Sequence, residues 1–175
     1  MAQTPLATFE LSCAEQVFGP RRGNSDIEPY IFAIGSLQGE YVLTQTGLEV
    51  RVHYGSELFD RADTIIIPGW DPASRPTREV VRVIRRAYGR GARIIAISTG
   101  TFLLAPTGLL DGRRATAHWL HADELASQFP DVKDESDKLY IDEGQLVTGA
   151  GSAAGIDVFL DVVRRDLGPR LPNQI

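Results

Sequence analysis

The amino-acid sequence predicts an α/β fold, with a mostly parallel sheet and helices on both faces. Three observations carry that expectation. Two short apolar runs, residues 64–67 and 94–97, are rich in β-branched side chains, as strands buried on both faces are. Amphipathic, helix-like stretches alternate with these runs along the chain. The runs end in loops of glycine, proline and hydroxyl residues, where α/β proteins place their functional groups.

Taken in order, residues 1–8 supply at most a poor first strand. Residues 9–18 place Leu11, Ala14 and Phe18 on one helical face, and Gly19 and Pro20 end that helix. Residues 30–36 read as a strand. Residues 41–44 and 48–53 form a hairpin about Thr46 and Gly47. The strand at 64–67 ends in Pro68, Gly69 and Trp70. Pro76 opens a helix whose Val80, Val83, Ile84 and Ala87 face inward and whose arginines face outward. The strand at 94–97 halts at Ser98 and Thr99, and Gly100 opens a helical stretch over 101–105. A further helix lies near 120–129. Residues 139–142 and 145–148 pair across Glu143 and Gly144. The last helix, 153–167, stops at Gly168 and Pro169.

The chain has 175 residues, 43% of them hydrophobic and 23% charged, as in one globular domain with a sizeable core. That domain is expected over residues 1–168. Residues 169–175 read as the start of a linker to a DNA-binding module outside this chain. No apolar run reaches membrane-spanning length, and the N-terminus lacks a basic-then-apolar leader pattern, so a cytoplasmic protein without membrane contact is expected. The single cysteine, Cys13, excludes an internal disulfide and fits a reducing interior. No metal is expected, because one cysteine and the scattered His53, His118 and His121 lack a familiar ligand spacing. The net charge of −5 argues against this chain gripping nucleic acid by itself. The arginine pairs at 21–22, 85–86 and 164–165 read as solvated faces.

The abrupt strand-to-helix bend at Ser98 is the main candidate site. Such a bend lifts its residue out of the sheet beside free helical N–H groups, which suits a nucleophile or an anion-holding residue. As a nucleophile, Ser98 would need a base, and His118 is the best candidate in the sequence. Backbone N–H groups of Gly69 and Thr99 would form the oxyanion hole. The motif departs from G-x-S-x-G, since Ala96 holds the first glycine position. A serine that merely caps the next helix is the commoner arrangement. Glu10 reads either as a pocket carboxyl or as an acid placed well in a first helical turn. His118 beside Trp119 reads either as pocket lining or as a structural histidine. The loops at 68–70, 98–100 and 148–152 are expected to converge on one pocket. Residues 149–154 match a dinucleotide fingerprint, but no βαβ continuation or ribose-binding acid follows, so small residues for close helix packing are the better reading and no cofactor is expected.

The segments 9–19, 62–70, 91–119, 121–132, 139–151 and 152–168 together resemble the ThiJ/PfpI superfamily, related in fold to class I glutamine amidotransferases. They most resemble the branch forming the N-terminal domain of AraC-type transcriptional regulators. The resemblance implies a flavodoxin-like three-layer sandwich, a homodimer, and a pocket at the three loops. In enzymatic members, isonitrile hydratase among those with a similar bend, a cysteine nucleophile stands where Ser98 stands. An acid corresponding to Glu10 bonds it, and backbone at Gly69 and Thr99 corresponds to the oxyanion site. Here Ser98 stands in place of the cysteine, the first strand is weak, and the regulator's helix-turn-helix module is expected to lie outside these residues.

The expectation is a non-catalytic ligand-sensing and dimerisation domain of such a regulator. Glu10, Gly69, Trp70, Ser98, Thr99 and His118 would line a pocket for an unknown small-molecule effector, and DNA would be reached only through another module. The alternative is a stand-alone isonitrile hydratase-like or amidase-like enzyme using Ser98, Glu10 and His118. A third reading is a structural dimerisation module with a vestigial pocket.

Overall fold

A four-stranded sheet is built from β3 (Thr64–Ile67), β4 (Arg93–Ile97), β7 (Tyr140–Asp142) and β8 (Leu146–Gly149), in the order β3-β4-β8-β7. The computed structural model describes residues 1–20 and 29–168. The pairs β3–β4 and β4–β8 are parallel, while β7 runs antiparallel to β8 at one edge. Residues 95–97 of β4 are all isoleucine or alanine with no exposed surface, as a central strand covered on both faces requires.

The pleat sends alternate β4 residues to opposite layers. Ile95 and Ile97 pack against Cys13, Ala14, Val17 and Phe18 of α1 (Thr8–Phe18) and against Val158, Phe159, Val162 and Val163 of α6 (Ala153–Leu167). Ile94 and Ala96 face α3 (Arg78–Gly89), α4 (Thr101–Leu104) and α5 (Ala122–Gln128) through Val83, Ile84, Leu103 and Leu125. The result is the expected flavodoxin-like three-layer sandwich. α3 is the most regular helix: Thr77 caps it by accepting from Val80 N–H, two residues beyond the Pro76 start the sequence suggests.

Outside the sheet, β1 (Tyr41–Leu43) and β2 (Glu49–Arg51) form the expected antiparallel hairpin. A single helical turn, α2 (Ser56–Phe59), then leads into β3. Residues 30–36 are not a strand. They pair only through isolated bridges, Gly35 with Tyr54 and Ser36 with Ala2. Their alternating pattern has another cause: Tyr30 and Phe32 pack on the α1–α6 layer and Ile34 on the Leu6–Val42 cluster, while Ile31 faces solvent. The N-terminal segment is likewise no strand, yet its Ala2 and Leu6 are buried and bridge Ser36 and Thr44.

The helix expected over 101–105 is only α4, followed by a 3-10 turn over Ala105–Thr107. Pro106 lacks the N–H that would continue α-helical bonding, and Gly108, left-handed at φ 71°, ends the segment. The helix near 120–129 likewise begins as a 3-10 turn, Trp119–His121, before α5. Two strands have no counterpart in the sequence reading: β5 (Arg114–Ala115) and β6 (Lys133–Asp134), a parallel pair of two residues each. Residues 169–175 and the arginine pair at 21–22 lie outside the described residues. Among those described, no helix is long and apolar enough to cross a membrane.

At the N-terminal edge of β4, Arg93 grips Asp166 of α6 with two hydrogen bonds of 3.0 and 2.7 Å. The Tyr30 hydroxyl donates to the same carboxylate at 3.1 Å. The Arg93 hydrogen bond holds the Asp166 carboxyl below the usual carboxylate range. Burial, and then the charge of Asp166, push the Tyr30 phenol well above its usual value. This cluster fastens the last turn of α6 to the sheet.

Candidate functional site

The site lies at the carboxyl ends of β3, β4 and β8, where the strands run out into loops. β4 ends at Ile97, and the next residue, Ser98, is left-handed at φ 59°, a conformation costing a serine about 1–2 kcal/mol. Ser98 is only 8% exposed. It opens a 3-10 turn, Ser98–Gly100, that leads into α4.

Three close approaches hold this bend. A Cβ built on Gly100 would lie 2.5 Å from the carbonyl oxygen of Ile67, so the turn rests directly on the end of β3. Trp70 N–H donates to the Thr99 hydroxyl at 3.1 Å, tying the loop after β3 to the bend. On the other side, a Cβ on Gly151 would lie 2.5 Å from Ser98 Cβ and 2.8 Å from its Oγ. Gly151 itself is left-handed at φ 90°, and Ser152, which precedes α6, has φ 51°. The three loops therefore do converge, with two left-handed serines flanking one left-handed glycine.

Glu10 lies in the first turn of α1 and is half-buried. The start of α1 reaches the site: a Cβ on Gly69 would lie 2.9 Å from that of Ala7, the residue preceding the helix. Among the described residues, no hydrogen bond joins Glu10 to Ser98. Trp70 is buried, and its indole N–H donates to the Ser74 carbonyl at 2.6 Å, which orients the ring. Cys13 packs in the α1–α6 layer, where burial and then the charge of Glu10 raise its thiol pKa. Such a thiol is a packing group rather than a nucleophile.

His118 is placed differently from the other candidates. Its Nδ1 accepts from Leu120 N–H at 3.3 Å, so it caps the 3-10 turn Trp119–His121. Its ring stacks on Trp119 at 6.0 Å and meets His121 edge-on at 6.1 Å. No hydrogen bond joins it to Ser98 among the described residues. The segment before it is held beside the bend instead. Thr101 Oγ1 donates to the Thr116 carbonyl at 2.9 Å, and Thr116 N–H donates to Thr148 Oγ1 at 2.9 Å. These buried threonines are a part of the site that the sequence reading missed, since hydroxyls in the contexts A-T-A and V-T-G carry no local signal. Gly149 does what the small residues at 149–154 were expected to do, since a Cβ there would lie 3.0 Å from Val158 of α6. Gly155, just beyond that segment, also brings α6 close to β4, with a Cβ 3.3 Å from Ile97.

Chemically, the bend offers a hydroxyl at the start of a helical turn, with the Glu10 carboxylate in the first turn of α1. It can accept a polar or anionic group by hydrogen bonding. Among the described residues, no histidine or carboxylate side chain is hydrogen-bonded to the hydroxyl, the partner a serine nucleophile needs.

Comparison with known proteins agrees with this architecture. The DJ-1/PfpI family model matches residues 24–165. The HTH-type transcriptional regulator CdhR of Pseudomonas aeruginosa is 31% identical over 166 residues, which cover 94% of this chain and 48% of that protein. Isonitrile hydratase of Pseudomonas putida is 30% identical over 131 residues, covering 73% of this chain and 55% of the enzyme. The crystal structure of an AraC family transcriptional regulator from Pseudomonas putida superposes with a TM-score of 0.75 at 20% identity, covering 96% of this chain and 86% of that one. The chain spans about half the length of the curated regulators it matches along nearly its whole length.

Proposed function

This chain belongs to the DJ-1/PfpI family, and from that we propose that it is the ligand-sensing and dimerisation domain of an AraC-type transcriptional regulator. The observation that carries the reading is the bend itself. Its strained geometry is intact, yet it holds a serine whose hydroxyl bonds neither Glu10 nor His118 among the described residues. A site that keeps its shape without an activated nucleophile is suited to recognition.

In this reading a small molecule is held by Ser98, the backbone at Gly69 and Thr99, Trp70 and Glu10, with His118 at the margin. Sensing requires the ligand to bind one arrangement of the regulator more tightly than another. α6 supplies a rigid connection for that bias. Its first turn follows Gly151, which lies against Ser98, and Ser152, and its last turn is clamped through Asp166 to Arg93. A ligand that shifts the bend therefore pushes on one end of a helix whose other end is fixed to the start of β4. The domain would act on DNA through a DNA-binding module elsewhere in the regulator, as a cytoplasmic homodimer.

The test is a thermal-shift screen of small polar metabolites against the chain and its Ser98→Ala and Glu10→Gln variants. A compound that binds only the folded state raises the melting temperature. The reading expects at least one such compound, a weakened shift in both variants, and an altered DNA affinity of the intact regulator when it binds. A panel without any stabilising compound would favour a structural dimerisation module.

One observation favours a second reading. The left-handed φ of Ser98 is the geometry of a nucleophile at a strand-helix elbow, and isonitrile hydratase is among the relatives. An isonitrile hydratase-like or amidase-like enzyme would show turnover that Ser98→Ala abolishes.

A further inference from the structure

The outward face of α3 is dominated by one charge. The helix carries Arg78, Arg82, Arg85 and Arg86 against a single acid, Glu79, in a chain whose net charge is −5. With Pro76 and Val81, these arginines line an open cleft of about 600 Å³. Two of them have structural employment: Arg85 donates to the Thr107 carbonyl at 2.6 Å, and Arg86 pairs with Asp60. Arg78 and Arg82 are exposed and make no ion pair or side-chain hydrogen bond with any described residue. They stand one helical turn apart on the same face.

We propose that this face is an auxiliary phosphate-contacting surface, against which DNA held by the intact regulator lies. The inference rests on the regulator reading above. Arg78 to Arg85 span about 10 Å of helix, too long for one small anion and suited to a row of them. The cleft floor is Val81, without an aromatic platform or amide to read a base, so contact would be to the backbone and independent of sequence. The acidic balance of the whole chain gives the contact direction, because a positive face on a negative body is drawn to a polyanion while the rest is repelled.

The experiment measures binding of the intact natural regulator to a labelled DNA duplex of arbitrary sequence over a range of salt concentrations. The double variant Arg78→Gln/Arg82→Gln is compared with the parent and with Arg78→Lys/Arg82→Lys, which keeps both charges. Each lost phosphate contact lowers the slope of log affinity against log salt by roughly 0.9. Raising salt about fourfold should then cost the glutamine variant roughly tenfold less affinity than the parent, with the lysine variant close to the parent. Unaltered melting temperatures would show that the fold is retained. An unchanged slope in the glutamine variant overturns the inference while leaving the regulator reading intact. So does a variant that keeps its DNA slope but loses binding of polyglutamate, which would assign the face to an acidic protein. A parent that binds no duplex at any salt overturns the regulator reading and this inference with it.

Discussion

Ser98 and Gly151 are packed so closely that a single added methyl on the glycine would fall 2.5 Å from the serine Cβ. Both residues are left-handed, at φ 59° and 90°. The shape of the bend is thus fixed by a pair of residues from two segments, those following β4 and β8, rather than by Ser98 alone.

Gly151→Ala should destabilise the domain by about 2–4 kcal/mol, combining backbone strain with overpacking. Gly144 gives the control: it is left-handed at φ 85° with nothing within 4 Å of a built Cβ. Gly144→Ala should cost only the backbone part, about 1–2 kcal/mol. Urea denaturation of both variants checks this, and equal costs would show that the Ser98 contact is not a constraint.

Thr101→Val should cost about 1–3 kcal/mol, because it leaves the buried Thr116 carbonyl without its 2.9 Å donor. The same substitution loosens the segment leading to His118. Amide exchange at residues 116–118 should quicken more than that in α6, and uniform quickening would contradict the assignment.

Acid sensitivity should trace in part to Asp166. Its folded pKa is depressed, chiefly by Arg93, so its contribution is fully present above the unfolded value near about 3.9 and is lost as pH falls through the folded value. Asp166→Asn should therefore lower stability near neutrality and lose that difference in strong acid. Denaturation midpoints measured from neutral to acidic pH test the sign, and a deficit that persists at the lowest pH would refute it.

Much of this architecture was legible because burial writes itself into apolar periodicity. The runs at 64–67 and 94–97 and the stripe Val80, Val83, Ile84, Ala87 each marked a buried element. The same signal misled at 30–36, where alternation reflects packing on helices and no ladder forms. β5 and β6 were invisible, since two residues carry no period. At the site, the bend at Ser98 and the converging loops could be read from strand ends and glycines. His118 could not be placed, because its cap to Leu120 and its stacking on Trp119 depend on tertiary geometry. Nor could the Thr101–Thr116–Thr148 links, whose partners lie 15 and 32 residues apart.

The claim that this site recognises its ligand without transforming it is tested most directly by intact-mass spectrometry of the protein incubated with isonitriles, amides and esters. Products in the same samples are quantified alongside. The expected result is an unmodified protein mass and no product above the Ser98→Ala background. An acyl or other covalent adduct mapped to Ser98, absent in Ser98→Ala and formed with turnover, would contradict it.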